Sequence, residues 1–327
     1  MSDVRNISID LVKAIGILAI VIGHYGFAVD FVFSFHVPLF FIVGGWLYKP
    51  KTIVEELKVD AKRLLLPYVL TAGFIATWKS LAWIRVGEIE NIGREWLAAL
   101  LGGGCPESYF LLGECKQIGA IWFLMALFVC RVVYSILDKK ISNSILSIIC
   151  ISISIASVFF YNHLSPLPFN ICQGLSALIF YDCGRRLKLF TQTRKATNWV
   201  IVGCLAVWIC AIYFSFMSMN NCRYDCYPLD IVGAICATYI FIHICKYAPQ
   251  NMITNSLAWV GRNSMGLLCL HLIDLECGVI YKIQKWTEIF IIQNRFVHCM
   301  IVIILSCFMI WLYNIIANKF KYPCPNS

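Results

Sequence analysis

Charged side chains are scarce in this sequence. Asp, Glu, Lys and Arg make up 14% of its 327 residues, against about 25% in a typical soluble protein. The apolar residue types reach 60%, so the chain has too little charge to cover its own surface. This composition excludes a soluble enzyme, a secreted disulfide scaffold and a disordered hub. It predicts a chain that folds in lipid.

Several common functional motifs are also missing. The sequence contains no P-loop, no Gly-x-Gly-x-x-Gly fingerprint, no His-Glu-x-x-His zinc helix and no Gly-x-Ser-x-Gly nucleophile elbow. It has no internal repeat with a period of roughly 20–50 residues. The sequence therefore gives no support to nucleotide-binding domains, zinc proteases or serine hydrolases of those types.

Long apolar runs are abundant instead. A helix needs about 20 residues to cross a hydrocarbon core of ~30 Å. Segments of that kind lie at 7–28, 31–48, 64–84, 119–137, 143–161, 167–184, 198–217, 229–245, 256–275 and 296–317. The residues between them are too few for a separate catalytic domain. The fold class predicted is all-α: one polytopic integral membrane helix bundle over residues 1–327, with about ten transmembrane helices.

The basic residues predict the orientation of this bundle. If the N-terminus is inside, most of the 27 Lys and Arg residues fall in the segments on the cytoplasmic side. An excess of Lys and Arg marks cytoplasmic loops, so both termini are predicted to be cytoplasmic. Topology then accounts for the net charge of +9, and no nucleic-acid partner is expected.

Most of the 17 cysteines lie inside the predicted spans, where a thiol behaves as a small apolar side chain. Two pairs lie in outer loops: Cys105 with Cys115, and Cys222 with Cys226. An oxidising compartment would allow each pair to close a local bridge, although pairing between the loops is equally compatible with the sequence. Neither pair has the neighbouring ligands of a zinc site, so no metal is expected.

Ionisable side chains inside the spans are the first candidates for function, because each costs about 2.5–3.5 kcal/mol at the centre of a membrane helix. The first span carries Asp10, Lys13 and His24. At about 100° per residue, Lys13 and His24 share one face and Asp10 lies within about 40° of it. A polar stripe therefore runs from Asp10 and Lys13 at the inner end to His24 in the outer third.

Two more histidines are expected at a similar height. His36 lies near the start of the second span and His271 in the outer half of the ninth, so both are predicted to converge with His24. Three basic residues are predicted near the inner mouth: Lys13, Arg63 and Arg262. Simpler explanations exist, since a histidine can tie two helices together, Arg63 can anchor the topology and Lys13 can snorkel.

The pattern around these residues is that of a known family. Lys13 and His24 are separated by ten residues in the stretch 9–25, and 35–45 follows as the second helix. Further landmarks come in the same order: Arg63 to Tyr68, Ile121 to Leu124, and Gly261 to His271. In these features the sequence resembles the acyltransferase family 3 membrane proteins, with the nearest similarity to a sugar O-acetylase-like branch. One departure stands out: many members have an Arg-x-x-Arg pair entering the third helix, whereas here the first position is Asp60.

The resemblance implies transfer of an acyl group, usually acetyl, from acetyl-CoA or another acyl-CoA on the cytoplasmic side. The expected acceptor is a hydroxyl of a cell-envelope glycan or its lipid-linked precursor, and the expected location is a bacterial inner membrane. The catalytic residues expected are His24, His36 and Asp10, with His24 as general base. The donor's phosphates are assigned to Lys13, Arg63 and Arg262. Acceptor contacts are assigned to His271, Trp122 and Asn263. The partners are thus the bilayer, acyl-CoA and a glycan.

A secondary transporter or exporter of a small polar solute is the alternative. Polar residues near the membrane midplane also suit that function. Transporters often carry paired interrupted helices in two related halves, however, and the sequence shows no such pairing. Acyl transfer is therefore the preferred hypothesis.

Overall fold

A computed structural model of the protein describes residues 6–104, 108–110, 113–164, 167–193, 197–287 and 294–321. The described chain is almost entirely helical. Its α-helices are α1 (Ile7–His24), α2 (Val29–Phe33), α3 (His36–Trp46), α4 (Ile53–Asp60), α5 (Leu66–Val86), α6 (Glu90–Leu101), α7 (Trp122–Lys140), α8 (Asn143–Phe159), α9 (Tyr161–Leu164), α10 (Ile171–Ser176), α11 (Leu178–Thr193), α12 (Asn198–Phe214), α13 (Tyr227–Lys246), α14 (Met252–Arg262), α15 (Ser264–Cys277), α16 (Val279–Thr287) and α17 (Arg295–Lys321).

Little else in this part of the chain is regular. Two small antiparallel hairpins are formed by β1 (Ser108–Phe110) with β2 (Gly113–Cys115), and by β3 (Met217–Ser218) with β4 (Arg223–Tyr224). A π-helical turn, Ala61–Leu65, joins α4 to α5.

Six helical segments of the described chain are long and apolar enough to cross a membrane. They are Ile7–His24, Val29–Trp46, Ile53–Val86, Gly119–Lys140, Tyr227–Lys246 and Arg295–Ala317. Two shorter apolar helices are α8 and α12. The prediction of a helical multi-pass membrane protein is confirmed, whereas the number of ten spans stays a prediction. Four of the predicted spans are interrupted in the described chain. The breaks fall between α2 and α3 in 31–48, between α8 and α9 in 143–161, between α10 and α11 at Ala177, and between α14 and α15 at Asn263.

The first and last membrane helices run antiparallel. The rings of Phe27, just after α1, and Phe296, early in α17, lie 5.9 Å apart. At the other end Asp10 of α1 lies 4.0 Å from Arg262, and Asn314 of α17 lies 3.3 Å from Asn263. The two described chain ends are therefore at the same end of the bundle. We call it the inner end, following the predicted orientation, and the opposite end the outer end.

Glycines allow α3 and α11 to cross at backbone contact. A Cβ atom built on Gly45 would overlap the Tyr181 carbonyl, and one built on Gly184 would overlap the Ile42 carbonyl. Small residues of this kind are typical of membrane helix interfaces, where dispersion forces and not water exclusion hold the helices together. This crossing fixes the position of α3, which carries His36.

Replacing Gly184 with valine is expected to lower the thermal midpoint of the detergent-solubilised protein by about 5 °C or more, because backbone atoms cannot move aside. Gly203→Val on α12 is the control, since no atom of the described chain beyond its own helix backbone lies within 4 Å of a Cβ at that position. Differential scanning fluorimetry compares the two variants. Equal midpoints would contradict the tight crossing.

The position where the family has an arginine is occupied by a buried acid, Asp60, and the structure supplies its partner from another helix. Arg131 of α7 places Nε 2.7 Å from Asp60 Oδ2 and Nη2 2.7 Å from Glu56 Oε1. Asp60 and Glu56 are 1% and 2% exposed. Where this sequence has Asp60 in place of the arginine found in many family members, Arg131 supplies the opposite charge from α7.

Of the pairings that the sequence leaves open, the local bridge between Cys222 and Cys226 is not formed in the structure. Cys222 has a left-handed backbone conformation, with φ of 48°, which turns its side chain inward to lie 3.9 Å from the Cys172 sulfur. Cys226 is exposed and carries a free thiol. Cys105 and the side chain of Cys115 lie outside the described residues.

Candidate active site

A cavity of about 230 Å³ lies at the outer end of the bundle. It is lined by three side chains from helix ends. These are His24, the last residue of α1, His36, the first residue of α3, and Trp122, the first residue of α7. Gly26, with φ of 83°, allows the chain to reverse after α1, so α2 and α3 return toward the same place. The prediction that His24 and His36 lie together is confirmed.

The hydrogen bonds of His271 decide which nitrogen of His24 carries its proton. His271 Nδ1 is 2.8 Å from the Leu267 carbonyl oxygen, so in the neutral ring this nitrogen holds the hydrogen and donates. His271 Nε2 is then an acceptor, and it lies 3.1 Å from His24 Nδ1. His24 Nδ1 must therefore donate, and Nε2 of His24 keeps its lone pair.

His36 has the same tautomer for a different reason. Its Nδ1 lies 2.8 Å from the carbonyl oxygen of Val32, one turn earlier, so this nitrogen donates and Nε2 is unprotonated. The ring packs against Phe33 at 4.8 Å and is only 5% exposed. The cavity thus offers two neutral imidazoles as bases, of which His24 is the more accessible.

A second hydrogen-bonded cluster lies next to His24 and His271. The Tyr25 hydroxyl donates to Asp274 Oδ2 at 2.8 Å, and His298 Nε2 lies 2.8 Å from the same oxygen. Asp274 Oδ1 accepts from the backbone N–H of Ile280 at 2.8 Å. These bonds join the end of α1 to α15, α16 and α17 next to His24.

Outer loops complete the wall of the cavity. Asn220 donates through Nδ2 to the Gly104 carbonyl at 2.8 Å. The backbone carbonyl of Asn220 accepts from Gln173 Nε2 at 2.8 Å. A Cβ at Gly104 would lie 2.7 Å from the Trp122 ring, so only glycine fits between the loop and the indole. Sequence reasoning missed Gly104 and Asn220, since nothing in a polar loop marks it as part of a site.

The segment before Gly104 is anchored to the end of α5. Trp83 Nε1 donates to Glu95 Oε1 of α6 at 3.0 Å, and burial raises the pKa of Glu95 above its usual range. Gly102 ends α6 in a left-handed conformation, with φ of 87°. The chain is thereby directed to the rim of the cavity.

Asp10 does not line this cavity, and its catalytic role stays a prediction. Fourteen residues of helix place it about 21 Å from His24. Its carboxylate lies 3.7 Å from Lys13 Nζ and 4.0 Å from an Arg262 guanidinium nitrogen. A face shared along a helix does not bring together groups that lie four turns apart, and Asp10 instead pairs with two of the predicted donor-binding cations.

Two of the three residues assigned to the acceptor lie elsewhere. His271 is fully buried behind His24. Asn263 donates to the Trp259 carbonyl at 2.8 Å and accepts from Asn314 at 3.3 Å, so its amide holds the break between α14 and α15. Only Trp122 lines the cavity.

Arg63 is exposed in the π-helical turn. Among the residues that the structure describes, no group of three or more His, Cys, Asp or Glu side chains is placed to hold a metal ion.

Comparison with known proteins identifies the family of the chain. The family described as "Acyltransferase domain" matches residues 6–315, which include every residue that lines the outer cavity. We found no significant match to the chain among curated proteins or among solved structures. Because the family match covers nearly the whole chain and its members transfer acyl groups, the transporter alternative loses its support. The chain belongs to acyltransferase family 3 and is a multi-pass membrane acyltransferase.

Proposed function

We propose that the protein moves an acetyl group from acetyl-CoA to a hydroxyl of a cell-envelope glycan or its lipid-linked precursor, in the inner membrane of a bacterium. The observation that carries this proposal is the hydrogen-bond chain from the Leu267 carbonyl through His271 to His24. It leaves the unprotonated Nε2 on the histidine that lines the outer cavity. A hydroxyl nucleophile needs such a base.

In the proposed reaction His24 carries the proton from the acceptor hydroxyl to the leaving thiolate. His24 Nε2 takes the hydroxyl proton while the oxygen attacks the thioester carbonyl. The new C–O ester bond forms, the C–S bond breaks, and the departing thiolate receives the proton from the His24 imidazolium. During the step His24 is positively charged, and its Nδ1–H still donates to His271 Nε2, which stabilises the charge.

The donor's phosphates are proposed to bind at the inner end. Lys13 and Arg262 both lie near Asp10, so part of their charge is already neutralised. Arg63 forms no ion pair with a carboxylate of the described chain and is exposed. It is the cation best able to form a bidentate contact with a phosphate.

The direct test is turnover. Protein reconstituted in liposomes receives acetyl-CoA and a panel of glycan and lipid-linked glycan acceptors, and both free CoA and acetylated product are measured. We expect CoA release that depends on the acceptor. Absence of product across a broad acceptor panel, with folded protein, would remove the proposal.

Arg63→Ala is expected to raise the KM for acetyl-CoA by about tenfold while the KM for the acceptor stays within about twofold, because one charge-assisted contact to a phosphate is lost. The donor KM of Arg63→Lys should lie between those of the wild type and Arg63→Ala, since lysine keeps the charge without the planar guanidinium. Titration of each substrate at a fixed level of the other gives these constants. An unchanged donor KM in Arg63→Ala would show that this arginine only anchors the topology.

His271 is proposed as a positioning residue that acts through His24. His271→Leu keeps the apolar volume but removes the acceptor for His24 Nδ1–H, so the other tautomer of His24 becomes accessible. We expect kcat to fall by about 10- to 100-fold with little change in either KM.

His271→Gln separates this role from a structural one. A glutamine carbonyl can accept the same hydrogen bond, so it should recover part of the lost kcat. Equal kcat values in the leucine and glutamine variants would rule out the positioning role.

A further inference from the structure

A second cavity, of about 250 Å³, lies at the inner end of the bundle, between the start of α1, α11 and α13. Its floor is apolar and buried, with Ile9, Trp46, Tyr239 and Ile242 all less than 9% exposed. The cavity shares no lining residue with the outer one. It is therefore a separate site.

The wall of this inner cavity is basic. Lys188 comes from α11, and His243 and Lys246 come from α13. None of the residues that line it in the described chain is acidic. Neither lysine forms an ion pair with a described carboxylate. Two ammonium groups therefore face one small space without a counter-ion from the described part of the protein.

Further polar groups surround the same space. Ser8, Thr191 and Gln192 line it. The Ser8 and Gln192 side chains can each donate a hydrogen bond to a ligand, whereas the Thr191 hydroxyl donates to the Lys188 carbonyl at 3.0 Å. The first turn of α1 also borders it, capped by the Asn6 side chain, which accepts from the Ser8 N–H at 3.0 Å. The N-terminal end of this 18-residue helix carries the positive pole of its backbone dipole, which adds to the attraction for an anion.

We infer that the inner cavity binds a phosphate ester, with Lys188 and Lys246 contacting its oxygens and the apolar floor holding its organic part. Two ammonium groups at one small space suit a phosphate better than a carboxylate, because a phosphate has more oxygens and up to two charges. The ester belongs either to an anionic lipid headgroup or to a soluble phosphorylated nucleoside. Basic pockets between membrane helices on the cytoplasmic side are suited to the former. The lipid headgroup would be independent of the proposed acetyl transfer, whereas a phosphorylated nucleoside at this site would rest on it, since coenzyme A carries such a group.

Binding is tested with two probes on the full-length protein in neutral detergent. Phosphatidylglycerol is compared by native mass spectrometry with diacylglycerol of the same chains, and adenosine 3′,5′-bisphosphate is compared by calorimetry with adenosine. Lys188→Gln/Lys246→Gln should bind one of the two phosphate probes at least about tenfold more weakly than the wild type. Which probe it is identifies the source of the phosphate.

The matched control is Lys139→Gln/Lys140→Gln, which removes the same charge from two exposed lysines at the end of α7 and should bind like the wild type. If neither probe binds, or both double variants weaken binding equally, the inference is overturned.

A second measurement uses the wild type alone, in case the Lys188→Gln/Lys246→Gln variant does not fold. Labelling of lysines by an amine-reactive reagent is read by peptide mass spectrometry with and without each probe. Labelling of Lys188 and Lys246 should slow at least about fivefold with the bound probe, whereas Lys139 and Lys140 should be unaffected. Equal labelling of all four lysines in the presence of both probes would refute the site.

Discussion

Replacing His24 with alanine is expected to lower acyl transfer by at least about 100-fold, the lower range for removal of a general base. His24→Gln should be similarly impaired, because an amide can hydrogen-bond to His271 but cannot take the hydroxyl proton. Both variants should keep the wild-type thermal midpoint within a few degrees, since His24 is only partly buried. Initial rates of CoA release in liposomes measure the effect.

The control for this experiment is His163→Ala. His163 is an exposed histidine on α9 that does not line the outer cavity, so its loss should leave the rate unchanged. Rates near wild type in both His24 variants would remove His24 from the mechanism. His36 would then be the base, because it has an unprotonated Nε2 at the same cavity.

Replacing Arg131 with methionine is expected to destabilise the protein by about 3–5 kcal/mol. The guanidinium is the ion-pair partner of both Asp60 and Glu56, and its removal leaves two buried carboxylates without a cation. Glu56 Oε2 already lacks a hydrogen-bond partner in the described chain, so that side chain has no alternative contact to compensate. Denaturant unfolding in mixed micelles, or the amount of folded protein after purification, measures the loss.

Arg223→Met provides the comparison. Arg223 also pairs with a carboxylate, Asp225 at 2.8 Å, but the two side chains are 57% and 40% exposed. Water compensates an exposed pair, so its removal should cost less than about 1 kcal/mol. Asp60→Asn/Glu56→Gln combined with Arg131→Met should recover stability relative to Arg131→Met alone. No recovery would show that Arg131 acts through packing and not through charge.

The outer histidines illustrate what a linear pattern can predict. His24 and His36 were placed at similar height from span lengths alone, because a helix rises by a constant amount per residue. The same constant rise predicts Asp10 at the inner end, where the structure has it beside Lys13 and Arg262. Residues from the loops, such as Asn220 and Gly104, gave no signal at all because their positions depend on contacts far apart in the chain.

Asp60 shows the complementary case. Its departure from the family pattern was visible in the sequence, but the sequence did not show that Arg131, 71 residues later, supplies the opposite charge. A buried ion pair between two helices is a property of their packing, so neither partner alone predicts it.

The sequence by itself determined that this protein folds in a lipid bilayer, that it is helical and to which family it belongs. Hydrophobic run length and local spacing are properties of consecutive residues. Only the tertiary structure decided the chemistry of the site. The proton on His24 is placed by His271, 247 residues away, and the basic inner cavity exists only where α1, α11 and α13 meet. Hydrogen bonds and electrostatic fields act across space, so a tautomer or an anion site is set by neighbours that the chain brings together when it folds.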